Sequence, residues 1–337
     1  MKKFALFLFT IVATLAGLNT IASDDLLSPV PEDTSFLQTK LEFGAWVANW
    51  DEDLAIDSLN TNTQLKSISP VWFKLTPDAY LTTNTQLRQE EITGIALDKK
   101  FLLIPSITNN LDPDRVIKLL TSEERKTNFI QSIGDIVALD MYAGVDLDFE
   151  MIEEKQKINF SLLIADVSQA VHKKGKLLAV TVHAKTGEND WQGSLGQDWD
   201  QIALYADEIR IMAYDYHNSQ TPPGSISPIT YIAKVVDFAL NNIPKEKITI
   251  GLPLYGYDWT EGSVVPIRHI DISAAGILDK ETYSKHYSDT ASGNSHEVWF
   301  EDRETLEQKI KLVRSRGLTK FYFWRLGGED SKIWEID

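Results

Sequence analysis

The chain has 337 residues, 43% of them hydrophobic and 24% charged, with a formal net charge of -16 and no cysteine. So acidic a surface repels phosphate backbones and anionic lipid, which argues against nucleic acid or a membrane surface as partner. The missing thiols exclude disulfides, cysteine nucleophiles and thiolate-held zinc, and leave stability to the core.

At the start, Lys2 and Lys3 precede an apolar run from Phe4 to Leu18, and Thr20-Ile21-Ala22-Ser23 then leads into Asp24-Asp25. This order of basic, apolar and small residues predicts a secretory signal over residues 1–23, removed after Ala22 or Ser23. The run is short for a membrane span of about 20 residues, so the mature chain is expected in the periplasm or outside the cell, with no membrane attachment. Residues 24–40 are polar, carry Pro29 and Pro31, and read as a linker. The folded unit is expected over residues 41–337.

Within it, the first strand is predicted at Leu41–Trp50, the second at Ile68–Leu75 and the third at Phe101–Ile107. A helical period covers Asp114–Leu139, with Asp112-Pro113-Asp114 as its start and Gly134 as a candidate interruption. A fourth strand, Ala143–Glu150, leads into a helix over Lys155–Lys173 that ends at Gly175. The remaining strands are predicted at Leu177–Val182, Glu208–Tyr214, Ile248–Leu252 and Phe321–Trp324, with helices at Ile232–Leu240 and Thr305–Arg314. Eight strands alternating with helices favour a closed (β/α)8 TIM barrel, for which about 250 residues plus insertions is an ordinary length. Only Leu326–Asp337 follow the last strand, so the final helix is expected to be abbreviated, with Ile333 and Trp334 packed as a turn against the barrel floor or a neighbouring helix.

The fourth strand reads A-G-V-D-L-D-F-E, which places Asp146, Asp148 and Glu150 on one face and Val145, Leu147 and Phe149 on the other. On an ordinary half-buried strand the acids would turn to water. In a parallel sheet covered on both faces they have no water to reach, and each unpaired carboxylate costs several kcal/mol. Burial and like charges about 7 Å apart along the strand both raise carboxyl pKa values, so one proton should be retained near neutral pH. Glu150, nearest the carboxyl end of the strand, is the candidate general acid. A structural ion network is the competing reading of the same residues.

The stretch G-V-D-L-D-F-E resembles the core of the D-x-x-D-x-D-x-E signature of family 18 glycoside hydrolases, the chitinase-like barrels. Three further stretches extend the resemblance: M-A-Y-D-Y-H (Met212–His217), G-L-P-L-Y-G-Y-D-W (Gly251–Trp259) and F-W-R-L-G-G-E-D from Phe323. With the P-P-G-S-I-S-P loop and H-E-V-W-F-E-D, they are similar to the branch containing spore-cortex glucosaminidases and glycosidase modules fused to polysaccharide deacetylases. The resemblance covers Leu41 to Trp334. It implies that Glu150 protonates the glycosidic oxygen, that Asp148 holds the substrate's acetamido group, and that Tyr214 orients the acetamido oxygen. It further implies substrate contacts from Asp215 and Trp324, with Asp146 as the supporting inner carboxylate; Asp146, Met212, Trp46 and Tyr255 are further candidate substrate contacts. The first Asp of the signature falls on Ala143 here, a departure that leans the expected substrate from crystalline chitin toward cell-wall or exopolysaccharide glycan.

The activity so implied is substrate-assisted, retaining hydrolysis of a glycan containing N-acetylglucosamine, by a monomer without cofactor or metal. Two other readings use the same residues. One is a non-catalytic lectin on the same barrel, against which an intact Glu150 argues; the other is a two-carboxylate glycosidase using Glu150 and Asp215. Each aromatic and polar candidate also has a structural role open to it. Trp46, Trp72 and Trp324 could fill the barrel, and Asp215 could pair with Arg210 or Arg325. His183 and His217 could join Asp215 around a metal, although no short ligand motif supports this. Trp191, Trp199 and Trp259 lie in apparent loops and are candidates for stacking outer sugars.

Overall fold

A computed structural model describes residues 40–84, 88–188, 190–260, 263–290 and 295–337. The stretch predicted as a secretory signal, and all but the last residue of the predicted linker, lie outside the described residues. No helix among the described residues is long and apolar enough to cross a membrane.

Eight parallel strands close into a barrel: β1 (Glu42–Val47), β2 (Leu65–Leu75), β3 (Ser106–Thr108), β4 (Gly144–Asp148), β5 (Leu177–His183), β6 (Glu208–Met212), β7 (Ile248–Pro253) and β8 (Lys320–Trp324). Each pairs with its sequence neighbours, and β1 pairs with both β2 and β8, which shuts the cylinder. All eight predicted strands are present. The third is split, because Leu102–Leu103 pairs with β2 before Pro105 and β3 resumes after it. Proline cannot donate to a ladder, which accounts for the break.

The helices pack outside. They are α1 (Glu52–Thr61), α2 (Gln89–Lys99), α3 (Pro113–Leu120), α4 (Glu123–Val137), α5 (Lys157–His172), α6 (Trp199–Tyr205), α7 (Ile229–Asn242) and α8 (Arg303–Ser315). The predicted helix over 114–139 is two helices, and the break is at Thr121 and Ser122 rather than Gly134. Asp112 caps α3 at the Asp114 amide, and Ser122 caps α4 at the Arg125 amide. A side chain able to satisfy the orphan amides of a new first turn makes the restart inexpensive. Gly134 lies within α4 with open space around it.

After β8, the closing helix is reduced to one short turn at Ser331–Glu335. Ile333 is buried, and Trp334 meets Phe43 and Phe323 edge-on, at centroid distances of 6.4 and 5.5 Å. These phenylalanines alternate with the inward-facing Trp46 and Tyr322 on their strands, so the turn covers the outer wall between β1 and β8 rather than the floor.

Between β7 and α8 a five-stranded antiparallel sheet is inserted. Its strands are Tyr255–Thr260, Ser263–Arg268, Ile277–Asp279, Ser284–Asp289 and His296–Phe300, with Tyr255–Thr260 between Ser263–Arg268 and His296–Phe300. A buried cluster joins this sheet to the barrel. Lys309 of α8 contacts Glu301, both side chains are wholly buried, and Ser284 donates to Glu301 over 2.6 Å while pairing with Ser225 of the loop after β6, also at 2.6 Å.

Removing one partner of such a pair leaves the other as an uncompensated buried charge. Lys309→Met is therefore expected to destabilise the protein by about 3–5 kcal/mol. Urea unfolding should show most of that loss recovered when Glu301→Leu is added, because neither charge is then buried.

Candidate active site

Inside the barrel, each of the eight strands contributes a polar or aromatic side chain to one connected network. Asp146 on β4 is its centre and is fully buried. Its carboxylate accepts from the Trp46 indole of β1 at 2.9 Å, Ser106 of β3 at 2.8 Å and Thr181 of β5 at 2.8 Å. The guanidinium of Arg210 on β6 lies 3.1 Å from the same carboxylate. Arg210 is itself fully buried, donates to Ser69 of β2 at 2.6 Å and to Glu208 at 3.2 Å, and lies 3.7 Å above the Tyr322 ring of β8. Thr249 of β7 completes the circuit by donating to Glu208 at 2.8 Å. Asp146 is thus saturated with donors, which offsets the cost of burying it.

One turn of the pleat further along β4, Asp148 is not. Its Oδ1 is buried with no hydrogen-bond partner among the described residues. Burial drives its carboxyl well above the usual range; the charges of Glu150 and Asp146 add to the rise, and Arg210 offsets only part of it. Glu150 follows at the strand end, and burial, then the charge of Asp215, pushes its carboxyl up to about 7. The strand end that carries it is clamped by amide side chains from both flanks. Asn109 accepts from the Glu150 amide at 3.0 Å and donates to the Glu150 carbonyl at 2.9 Å, while Gln197 donates to the Phe149 carbonyl at 2.9 Å.

From β6, Tyr214 reaches the same place. Gly251 on β7 makes room, since a Cβ there would lie 2.7 Å from the Ile211 carbonyl and 3.2 Å from the Tyr214 ring. Burial raises the Tyr214 phenol well above its ordinary range, as do the charges of Asp148, Glu150, Asp215 and Asp146, so it is a hydrogen-bond donor at any physiological pH. Asp215 has a left-handed backbone, with φ of 57°, and accepts from Tyr255 and, at 3.2 Å, from Tyr257.

These groups open onto a cleft of about 1020 Å³ at the carboxyl ends of the strands, where barrel chemistry is built. Asp148, Glu150, Met212, Tyr214, Asp215, Trp46 and Trp324 all line it. Two residues expected to touch substrate, Asp146 and Tyr255, are not among those that line the cleft. Asp146 lies beneath the cleft with its oxygens already occupied, and Tyr255 stands behind Asp215 in the inserted sheet. Trp46 is only 1% exposed, and it meets Trp324 edge-on at 6.1 Å.

Of the loop tryptophans, Trp191 borders the cleft and is half exposed. Trp199 packs on Phe238 in the core, and Trp259 is buried with its indole donating to the Thr221 carbonyl at 3.1 Å. Arg210 and Arg325 are not partners of Asp215, since Arg325 pairs with Asp51. His183 does face the cleft, but its ring lies beside Glu150, at 3.3 Å, and edge-on to Trp191. His217 instead meets the Pro222 carbonyl at 3.0 Å. Sequence pattern gave no sign of Asn109, Gln197 or the Glu150 contact of His183, because each acts across strands far apart in the chain.

Residues 48–329 match the family described as glycosyl hydrolases family 18. The chain belongs to that family. Among its relatives, YdhD of Bacillus subtilis (strain 168), named as a sporulation-specific glycosylase, is 28% identical over 278 residues, which are 77% of this chain and 65% of YdhD. The cortical fragment-lytic enzyme of the same strain is 24% identical over 251 residues, 69% of this chain and 58% of the relative. The chain thus spans less than two thirds of the length of these two family members. In fold it is similar to the spore cortex-lytic enzyme SleL of Bacillus cereus, with a TM-score of 0.80, 22% identity, and 88% of this chain and 73% of that one covered.

The raised carboxyl of Glu150 has a consequence for stability. Its ordinary value is 4.5 and its folded value about 7, so between these the folded protein holds a proton that the unfolded chain has released. Stability therefore falls as pH rises through that window and stays reduced above it. Glu150→Gln, uncharged throughout, is expected to gain on the parent by about 3 kcal/mol as pH rises from about 4.5 to about 8. Denaturant melts of the two proteins at several pH values measure this directly.

Proposed function

We propose that this protein is an exported glycoside hydrolase that cleaves glycans at a β-linked N-acetylhexosamine, with retention of configuration and with the substrate's own acetamido group as nucleophile. The observation that carries this reading is the contrast on β4 between Asp146, whose oxygens are all engaged, and Asp148, whose buried Oδ1 has no partner among the described residues. A buried polar atom left unsatisfied costs about 1–3 kcal/mol and calls for a donor that arrives with the ligand. The acetamido N–H is such a donor, and the neighbouring groups suit the rest of the reaction.

In the first step the acetamido oxygen attacks the anomeric carbon while the glycosidic C–O bond breaks, and the departing oxygen takes the proton of Glu150. Asp148 accepts the acetamido N–H and offsets the positive charge of the oxazolinium ion, and Tyr214 donates to the acetamido oxygen to fix its direction. Trp324 supplies an apolar wall for the sugar, and Asp215, held by Tyr255 and Tyr257, a polar contact. In the second step water attacks the anomeric carbon from the vacated side and gives its proton to the Glu150 carboxylate, which restores the acid. Two displacements at one carbon return the original configuration.

Among substrates, the relatives named for cortical fragments and sporulation support bacterial cell-wall glycan over crystalline chitin. The place of Ala143 at the first signature position leans the same way. The amino-terminal pattern of residues 1–23 supports export.

Glu150→Gln is expected to lower turnover of N-acetylated cell-wall or chitin oligomers by about 10²–10⁴-fold while leaving oligomer binding within a few fold of the parent. Asp148→Asn should be nearly as inactive. The parent's activity should fall above about pH 7 as Glu150 loses its proton. Oligomers lacking the acetamido group should not be cleaved; comparable rates on these, read by mass spectrometry of products, would overturn the substrate-assisted route in favour of a two-carboxylate one.

A further inference from the structure

His183 ends β5 on the cleft side, and nothing in the catalytic scheme above uses it. Its placement is nonetheless tightly specified. The backbone amide donates to Gln197 at 2.8 Å, the same Gln197 that holds the Phe149 carbonyl, so one amide side chain sets the ends of β4 and β5 against each other. The imidazole stands edge-on to Trp191 with ring centroids 4.9 Å apart. Its Nε2 lies 3.3 Å from Glu150 Oε2, and it is buried with no hydrogen-bond partner among the described residues. A buried ring nitrogen without a partner, aimed at the one carboxyl expected to change protonation during the reaction, is an expensive arrangement unless it is used.

The charged groups around this pair decide which form each takes. Facing them are Asp148 from β4, Tyr214 and Asp215 from the end of β6, and Lys185 two residues beyond His183. Asp190 is engaged by the amides of Thr186 and Gly187 in its own loop. Burial, then Lys185, lowers His183 to about 4, so the ring is neutral wherever Glu150 titrates and cannot act as a cation beside it. A neutral imidazole can still donate from the nitrogen that bears hydrogen.

We propose that His183 is a positioning residue for Glu150, whose Nε2–H closes onto Oε2 when the carboxyl becomes a carboxylate. The inference rests on the reading of Glu150 as acid and base. While Glu150 is protonated the contact stays loose. Once the proton has gone to the departing oxygen, the hydrogen bond forms, holds the carboxylate in the rotamer that faces the incoming water, and breaks again when the water's proton returns. No net proton moves through the imidazole. A donor at this position favours the ionised form of Glu150, so its removal must raise the pH at which Glu150 titrates.

Methionine and glutamine have nearly the same shape and differ in the donor. His183→Met should shift the alkaline limb of the kcat profile upward by about one pH unit, a tenfold change in the ionisation constant, whereas His183→Gln should keep it near the parent's position. Equal limbs in the two variants would overturn the proposal, whatever the loss in rate. A second measurement needs neither folding of the variants nor activity. In ¹⁵N-labelled parent, the His183 Nε2 should be the protonated nitrogen and its shift should step near pH 7 together with the Glu150 carboxyl signal, with the ring remaining neutral. A bare, unprotonated Nε2, or no step, refutes the role of His183; a parent that shows the step but cleaves no acetamido glycan refutes the proposed substrate instead.

Discussion

The arrangement depends on how the barrel interior distributes hydrogen-bond donors along a single strand. Three carboxyl groups point inward from one stretch of chain, and only the deepest is matched. Asp146 has three hydrogen-bond donors and the Arg210 guanidinium, drawn from four other strands. Asp148 is left short of a partner, and Glu150 stays near neutral in pKa. The saturated member fixes the strand in place, and the charge of Asp146 adds to the rise of the Asp148 carboxyl. Stability and reactivity are therefore graded along about 14 Å of strand, four residues at the ordinary rise.

The second layer of support comes from elements remote in sequence. Asn109 and Gln197 hold the end of β4, and the inserted sheet brings Tyr255 and Tyr257 against Asp215. That sheet is itself fixed by the buried contact of Lys309 with Glu301 and by Ser284. It borders the cleft at Thr282, so its main service to the site is to orient Asp215 from behind. Asp215 has a left-handed backbone, and the two phenols that donate to its carboxylate restrict the directions it can take.

Much of this was legible in the sequence. Alternation along A-G-V-D-L-D-F-E placed the three acids on one face, and runs of β-branched and aromatic residues located all eight strands, because a strand buried on both faces can hardly be written otherwise. Helices α1 and α2 went unread. Their sequences, EDLAIDSLNT and QEEITGIALDK, are short and polar and bury few residues, so their apolar period is weak. The split at Ser122 was hidden because a capping serine looks like any other polar residue until the chain bends there. A motif gives position along the strand but not depth, so the place of Tyr255 behind Asp215 and of Asp146 below the cleft was not legible. Trp199 and Trp259 looked like loop residues open to sugars, but satellite packing claims both. The contact of His183 with Glu150 joins two strand ends, a relation that no local pattern carries.

The central claim is that the unpartnered oxygen of Asp148 is kept for a donor supplied by the ligand. Calorimetric binding of a sugar thiazoline, which in its protonated thiazolinium form presents a ring N–H where the oxazolinium ion has its own, tests it most directly. Parent protein should bind the thiazoline at least tenfold more tightly than the corresponding free N-acetylated sugar, and Asp148→Ala should lose that advantage while still binding the plain sugar. Equal affinity of parent and variant for the thiazoline would mean that the empty valence of Asp148 serves no ligand, and the account would be wrong.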